Sequence, residues 1–158
     1  FCKSKLLENT DVYKALCDLV IDQKKPFLGI CVGMQLLATK GHEGQRNNLG
    51  LDWISGEVRK LIVKQSFKIP HMGWNNLRFN KSHPLFKDIH TNDHFYFVHS
   101  YEFKAFSENE VVATTDHAKE IVAAIAKDNI VGLQFHPEKS QTQGLNIIKN
   151  FIKWDASS

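Results

Sequence analysis

The run Pro26-Phe27-Leu28-Gly29-Ile30-Cys31-Val32-Gly33-Met34-Gln35 constrains this chain more than any other. Its apolar part is short and bounded by Pro and Gly, as in a buried strand. Met34, Leu36, Leu37 and Ala38 suit a helix that starts straight after it. A strand passing so quickly into a helix needs a sharp turn. Gly29 and Gly33 stand two residues either side of Cys31. Small residues there permit the turn and leave room for a substrate at the sulfur. A lone cysteine in an apolar run would be inert and packed. The glycine pair and the strand-to-helix switch argue instead for a nucleophile. The following helix is expected to favour thiolate through its free N–H groups and dipole, with Val32 N–H placed to donate to an oxyanion.

A base is legible about a hundred residues on. In an extended segment, His136 and Glu138 would point to the same side. His136 would then face Cys31 while Glu138 fixes its ring from behind. Pro137 between them fits a strand end. The chain has eight histidines, so this pair gains weight only beside the elbow. His90 and His94 are four apart, but their surroundings are polar and no third ligand is evident, so no metal site is expected.

Elsewhere the pattern predicts a first helix from Thr10-Asp11, with Val12, Leu16, Leu19 and Val20 at helical spacing. Residues 41–50 and 71–76 read as loops. Strands are expected over 57–63, 95–98, 111–115, 121–125 and 130–135, the last delivering His136. Leu145, Ile148, Phe151 and Ile152 would share the buried face of a final helix. This order predicts an α/β domain over residues 1–158, its mixed sheet parallel near Cys31 and built of hairpins beyond.

Composition narrows the function. A net charge of +3 is scattered, with Lys24-Lys25 and Arg59-Lys60 only as pairs, which argues against a nucleic-acid footprint. No apolar stretch reaches the ~18 residues of a membrane span. The three cysteines include no Cys-x-x-Cys, which favours a reducing compartment, by default the cytoplasm. Cys2 and Cys17 lack the elbow setting, and Cys17 is expected inside the first helix.

Four segments occur in order: the elbow at Cys31, Pro70-His71-Met72-Gly73-Trp74-Asn75, Phe95-Tyr96-Phe97-Val98-His99-Ser100-Tyr101, and His136-Pro137-Glu138-Lys139-Ser140. Together they resemble the class I (triad) glutamine amidotransferases. The resemblance implies a three-layer open mixed sheet flanked by helices, with a flavodoxin-like core and no cofactor. It implies L-glutamine as substrate and Cys31, His136 and Glu138 as the triad. Val32, Gly33, Gln35, His99, Ser100 and Tyr101 would form the oxyanion and substrate side. It further implies a heterodimer in which ammonia passes to a (β/α)₈-barrel cyclase, with Trp74, Asn75 and Lys139 near that partner. The ammonia would serve histidine biosynthesis. Residues 38–44 look more like relatives that make amidino sugars for surface polysaccharides, which keeps that acceptor open. The family also carries earlier strands and a Gly-rich loop with a second oxyanion donor. A chain starting at Phe1 is expected to lack them, and to be poorly stable and inactive alone. A non-catalytic scaffold is the alternative of another class.

Overall fold

Strand β1 (Phe27–Ile30) lies parallel to β11 (Ile130–Leu133), with Gly29 opposite Gly132 and Ile30 opposite Leu133. This pairing sets the strand that leads to Cys31 beside the strand that leads to His136. The computed structural model describes residues 10–43, 48–63 and 67–156.

In chain order, α1 (Thr10–Cys17) runs into a π turn (Asp18–Asp22) before β1. Helix α2 (Val32–Leu36) follows the elbow. Strands β2 (Lys40–Gly41), β3 (Asn48–Leu49), β4 (Gly56–Lys60), β5 (His71–Asn76) and β6 (Arg78–Phe79) come next. Then come β7 (His94–His99), β8 (Tyr101–Ala105), β9 (Val111–Asp116), β10 (Glu120–Lys127), β11 and the closing helix α3 (Gln141–Lys153).

The mixed sheet expected from the sequence is divided among the described residues into three. The largest has the order β1-β11-β10-β9-β6, and its only parallel pair is β1·β11. A second has the order β3-β2-β4-β8, with β2 parallel to β4. The third is the pair β5·β7. No helix of the described residues is long and apolar enough to cross a membrane.

Three expectations need correction. Residues 71–76 are not a loop but a six-residue strand, antiparallel to β7 from His71–His99 to Asn76–His94. Asn and Gly made this segment read as a turn; pairing with β7 overrides that local preference. The 41–50 loop also holds two short strands, β2 and β3, although 44–47 lie outside the described residues. The last helix turns a different face inward. Gly144 and Ile147 are buried, whereas Leu145 and Ile152 are 62% and 77% exposed. The reason is Gly144. A Cβ there would sit 1.9 Å from Pro137 O, so only glycine lets α3 lie this close to the turn carrying Glu138.

A similar rotation occurs at α1. Leu16 and Val20 pack inward as expected, but Val12 and Leu19 are about half exposed. The π turn adds a residue to the last turn of the helix, which shifts the inward face onto Val20 and Ile21. Asn129 fastens this end. Its buried amide donates to Val20 O and Lys25 O, and its carbonyl accepts from Phe27 N.

Phe95, Phe97 and Phe135 are fully buried, with Phe95 tilted against Phe135 at 4.6 Å and Phe97 edge-on to it at 5.7 Å between centroids. Each contributes about 2–3 kcal/mol of burial. They lie directly behind the site, so its frame is set by the core.

Candidate active site

The elbow is visible in the backbone. Cys31 has φ +50° and ψ −105°, a conformation costing a non-glycine residue about 1–3 kcal/mol. Cys31 N donates to Leu133 O at 2.7 Å, and Gln35 N donates back to Cys31 O at 3.2 Å. A Cβ on Gly29 would meet Gly33 C and O at 2.7 Å. A Cβ on Gly33 would meet nothing within 4 Å. The two glycines thus do different work: Gly29 lets the helix cross the strand, and Gly33 keeps the approach open.

Cys31 Sγ lies 3.9 Å from Val98 O, to which a thiol would donate. Two N–H groups face the sulfur: the Val32 amide, and Gln134 Nε2 at 3.8 Å. Burial pushes the thiol above its ordinary value, and the Val32 N–H opposes that rise. Glu138 adds to it; Lys139 and Gln134 oppose it. The thiolate-favouring helix expected from the sequence is corrected here. Helix α2 has five residues, too few for a sizeable dipole, and desolvation outweighs it.

His136 Nδ1 is 2.7 Å from Glu138 Oε1. A carboxylate only accepts, so Nδ1 carries the proton and Nε2 is left as the base. The pairing was foreseen, but its geometry differs. Residues Pro137–Lys139 form a 3₁₀ turn, not an extended segment, and the turn folds Glu138 back onto the ring. His136 N donates to Tyr96 O at 2.9 Å. His136 O accepts from Ser140 Oγ at 2.6 Å, and that Oγ accepts from Tyr96 N. Ser140, 1% exposed, therefore locks the turn carrying Glu138 to β7.

Gln35 does not point freely into the site. Its Nε2 donates to Tyr101 O at 3.2 Å and to Gln134 Oε1 at 3.1 Å. The same Tyr101 carbonyl accepts from His99 Nδ1 at 2.8 Å. His99 Nε2 therefore accepts, and His71 Nδ1, 3.0 Å away, donates to it. His71 Nε2 then accepts from Asn75 Nδ2 at 3.3 Å. Burial holds both histidines below their ordinary values, His71 at about 3, and His71 also feels His99 and His117. Both rings are neutral near pH 7. Neither nitrogen of His99, which was expected on the substrate side, is left for a ligand. Ser100 and Tyr101 are half-buried next to it.

Of the residues assigned to a partner face, Trp74 is 47% exposed and sits edge-on to Tyr96 at 5.9 Å. Lys139 is exposed beside Glu138. Trp74, Asp93, Ser140 and Gln141 line a cleft of about 480 Å³ on this side. Asn75 is turned inward, its amide on His71 and on Asp116 O at 2.8 Å. Gln134 and Ser140 were not singled out from the sequence. The only signal was position, one residue within two of His136 and the other four beyond it. No group of metal-ligating side chains occurs among the described residues.

A cysteine on a strained strand-to-helix turn and a carboxylate-oriented histidine leading off the neighbouring strand are the parts that acyl transfer from an amide uses. The glutamine amidotransferase class-I family matches residues 9–154, and the chain belongs to that family. It is a glutamine amidotransferase. More particularly, it is 47% identical over 157 residues to the imidazole glycerol phosphate synthase subunit HisH of Brucella abortus, covering 97% of this chain and 72% of the relative. The HisH subunit of Ruegeria pomeroyi is 45% identical over 154 residues with the same coverage. That of Pelagibacter ubique is 43% identical over 152 residues, covering 96% and 73%. A solved glutamine amidotransferase superposes with TM-score 0.64 at 16% identity, over 94% of this chain and 70% of that one. Another, from Thermotoga maritima, gives 0.56 at 20%, over 90% and 56%. At these identities the two structures speak for the fold alone.

Proposed function

We propose that the chain acts as the glutaminase subunit of an imidazole glycerol phosphate synthase, with Cys31, His136 and Glu138 as its triad. The observation that carries the reading is the His136–Glu138 pair, 2.7 Å apart at the end of the strand that flanks Cys31. Cys31 attacks the side-chain amide carbon of L-glutamine. His136 takes the thiol proton and gives it to the departing ammonia, leaving a glutamyl thioester. Water then attacks the thioester, His136 accepts its proton, and glutamate leaves. Val32 N–H and the open face at Gly33 stand where the tetrahedral oxyanion would form. The reading needs a second oxyanion donor, which it assigns to a Gly-rich loop outside the described residues. Gln35 keeps its Oε1 for the substrate.

Ammonia lost to water becomes ammonium and stops being a nucleophile. The reading therefore includes a partner, a HisF-like (β/α)₈-barrel cyclase docked as a heterodimer over Trp74 and Lys139, with Asn75 held inward behind them. The exposed Trp74 supports this as an interface anchor. Cytoplasmic histidine biosynthesis is the setting. The HisH names of the relatives favour it over the surface-sugar acceptor.

The test is labelling by a diazoketone analogue of glutamine in the full-length complex. Modification confined to the Cys31 peptide, with loss of glutamine hydrolysis, is expected. A folded complex whose Cys31 stays unmodified would leave only the scaffold reading.

A further inference from the structure

We propose that Gln134 holds the ionised sulfur of Cys31 in place as a side-chain N–H donor beside the Val32 amide, with Gln35 fixing which way its amide faces. The proposal rests on Cys31 being the nucleophile.

Gln134 is fully buried although its side chain ends in a primary amide. A buried primary amide is costly unless its atoms are matched. Here they are matched on both ends, and the order of matching is forced. Tyr101 O can only accept, so Gln35 presents Nε2 to it. The second hydrogen of that Nε2 goes to Gln134, whose facing atom must be Oε1. Gln134 Nε2 is thereby left facing Cys31 Sγ at 3.8 Å. A flipped amide would set Oε1 against the sulfur and Nε2 against Nε2.

The sulfur needs such a donor. Val98 O, 3.9 Å away, accepts from the thiol but repels the thiolate. Burial also favours the neutral form. Helix α2 is short, and the Val32 amide has to turn toward the oxyanion whenever a tetrahedral intermediate forms. A second donor, fixed just past the end of the strand next to β1, stays with the sulfur through both halves of the reaction. Residue 134 can do this because Cys31 N bonds Leu133 O, one residue before it.

The experiment is the pH dependence of Cys31 alkylation by iodoacetamide, followed on the Cys31 peptide by mass spectrometry, in the full-length protein. The unmutated protein is first labelled with the glutamine analogue. Absence of labelling there would overturn the nucleophile reading and this proposal with it. Given labelling, Gln134→Met keeps the volume and removes the donor. Gln134→Glu keeps the shape and places a carboxylate oxygen against the sulfur. Both are expected to move the alkylation midpoint up by about one pH unit or more, and to slow alkylation at pH 7 about tenfold. Thermal unfolding reports folding separately. Folded variants with an unmoved midpoint would overturn the proposal. A readout free of substitution is the Gln134 side-chain amide nitrogen resonance in the unmutated protein. It is expected to titrate with the same midpoint as Cys31, and a pH-flat resonance would equally overturn the proposal.

Discussion

Cys31 and His136 are tied to one strand two residues apart: Cys31 Sγ lies 3.9 Å from Val98 O, and His136 N donates to Tyr96 O at 2.9 Å. Strand β7 thus spaces the proposed nucleophile and base. Its alternate residues, Phe95 and Phe97, are fully buried, so the spacing is held by the core. Phe97→Ala should lower stability by about 3–5 kcal/mol. It should also slow glutamine hydrolysis more than the unfolded fraction explains. Denaturant melts set against activity of the folded fraction would show this; a loss of stability alone would not fit.

The two elbow glycines should fail in different ways. Gly29→Ala drives a Cβ into the Gly33 backbone at 2.7 Å, where no flexible side chain can yield. A cost of about 1–3 kcal/mol is expected, with activity largely lost. Gly33→Ala meets no atom within 4 Å and should leave the melting curve nearly unchanged. Its methyl group occupies the open approach, so a raised KM is expected. Equal destabilisation of the two variants would contradict this division.

Glu138→Gln keeps the shape of the orienting side chain and removes its charge. A neutral amide can still accept from His136 Nδ1 but stabilises the imidazolium less. Glu138 is half exposed, so water makes up part of the loss. A fall in kcat of about 10- to 100-fold is expected, with KM little changed. Steady-state glutaminase assays of the complex measure it, and an unaltered kcat would remove Glu138 from the triad.

Stability should fall in mild acid. His71 is buried and neutral, held down to about 3, and burial likewise lowers His83 to about 4. Unfolded histidines titrate near 6.5, so between that pH and about 4 the unfolded chain binds more protons than the native one. Above about pH 7 these groups leave stability unchanged. Below 6.5, His71 alone withdraws about 1.4 kcal/mol per pH unit. His71→Gln should flatten this slope in urea melts from pH 7 to 4.5, even if the variant is less stable at pH 7. An unchanged slope would mean that His71 is protonated in the fold.

The local geometry was legible in the sequence. Glycines around Cys31 announce the tight turn, and a histidine two residues from a glutamate announces the pair. What the sequence hid is of two kinds. Gln134 and Ser140 act through partners far along the chain, Cys31 and Tyr96, and only the parallel pairing of β1 with β11 and the docking of α3 bring them there. Strand β5 carries Gly73 at φ +133° and a run of asparagine, a turn composition, yet its partner strand makes it extended. Helical periodicity also misjudged α3. Leu145 and Ile152 satisfied the pattern, but the close contact at Gly144 decides which side faces in.

The Tyr101 carbonyl receives both His99 and Gln35, joining the histidine pair on one side to the sulfur on the other. This junction is a main-chain atom. Replacing the tyrosine side chain leaves it standing, so genetic variation can erode the arms of the junction but has no direct route to its centre. Only altered backbone chemistry, such as an ester in place of the peptide after Tyr101, would weaken it.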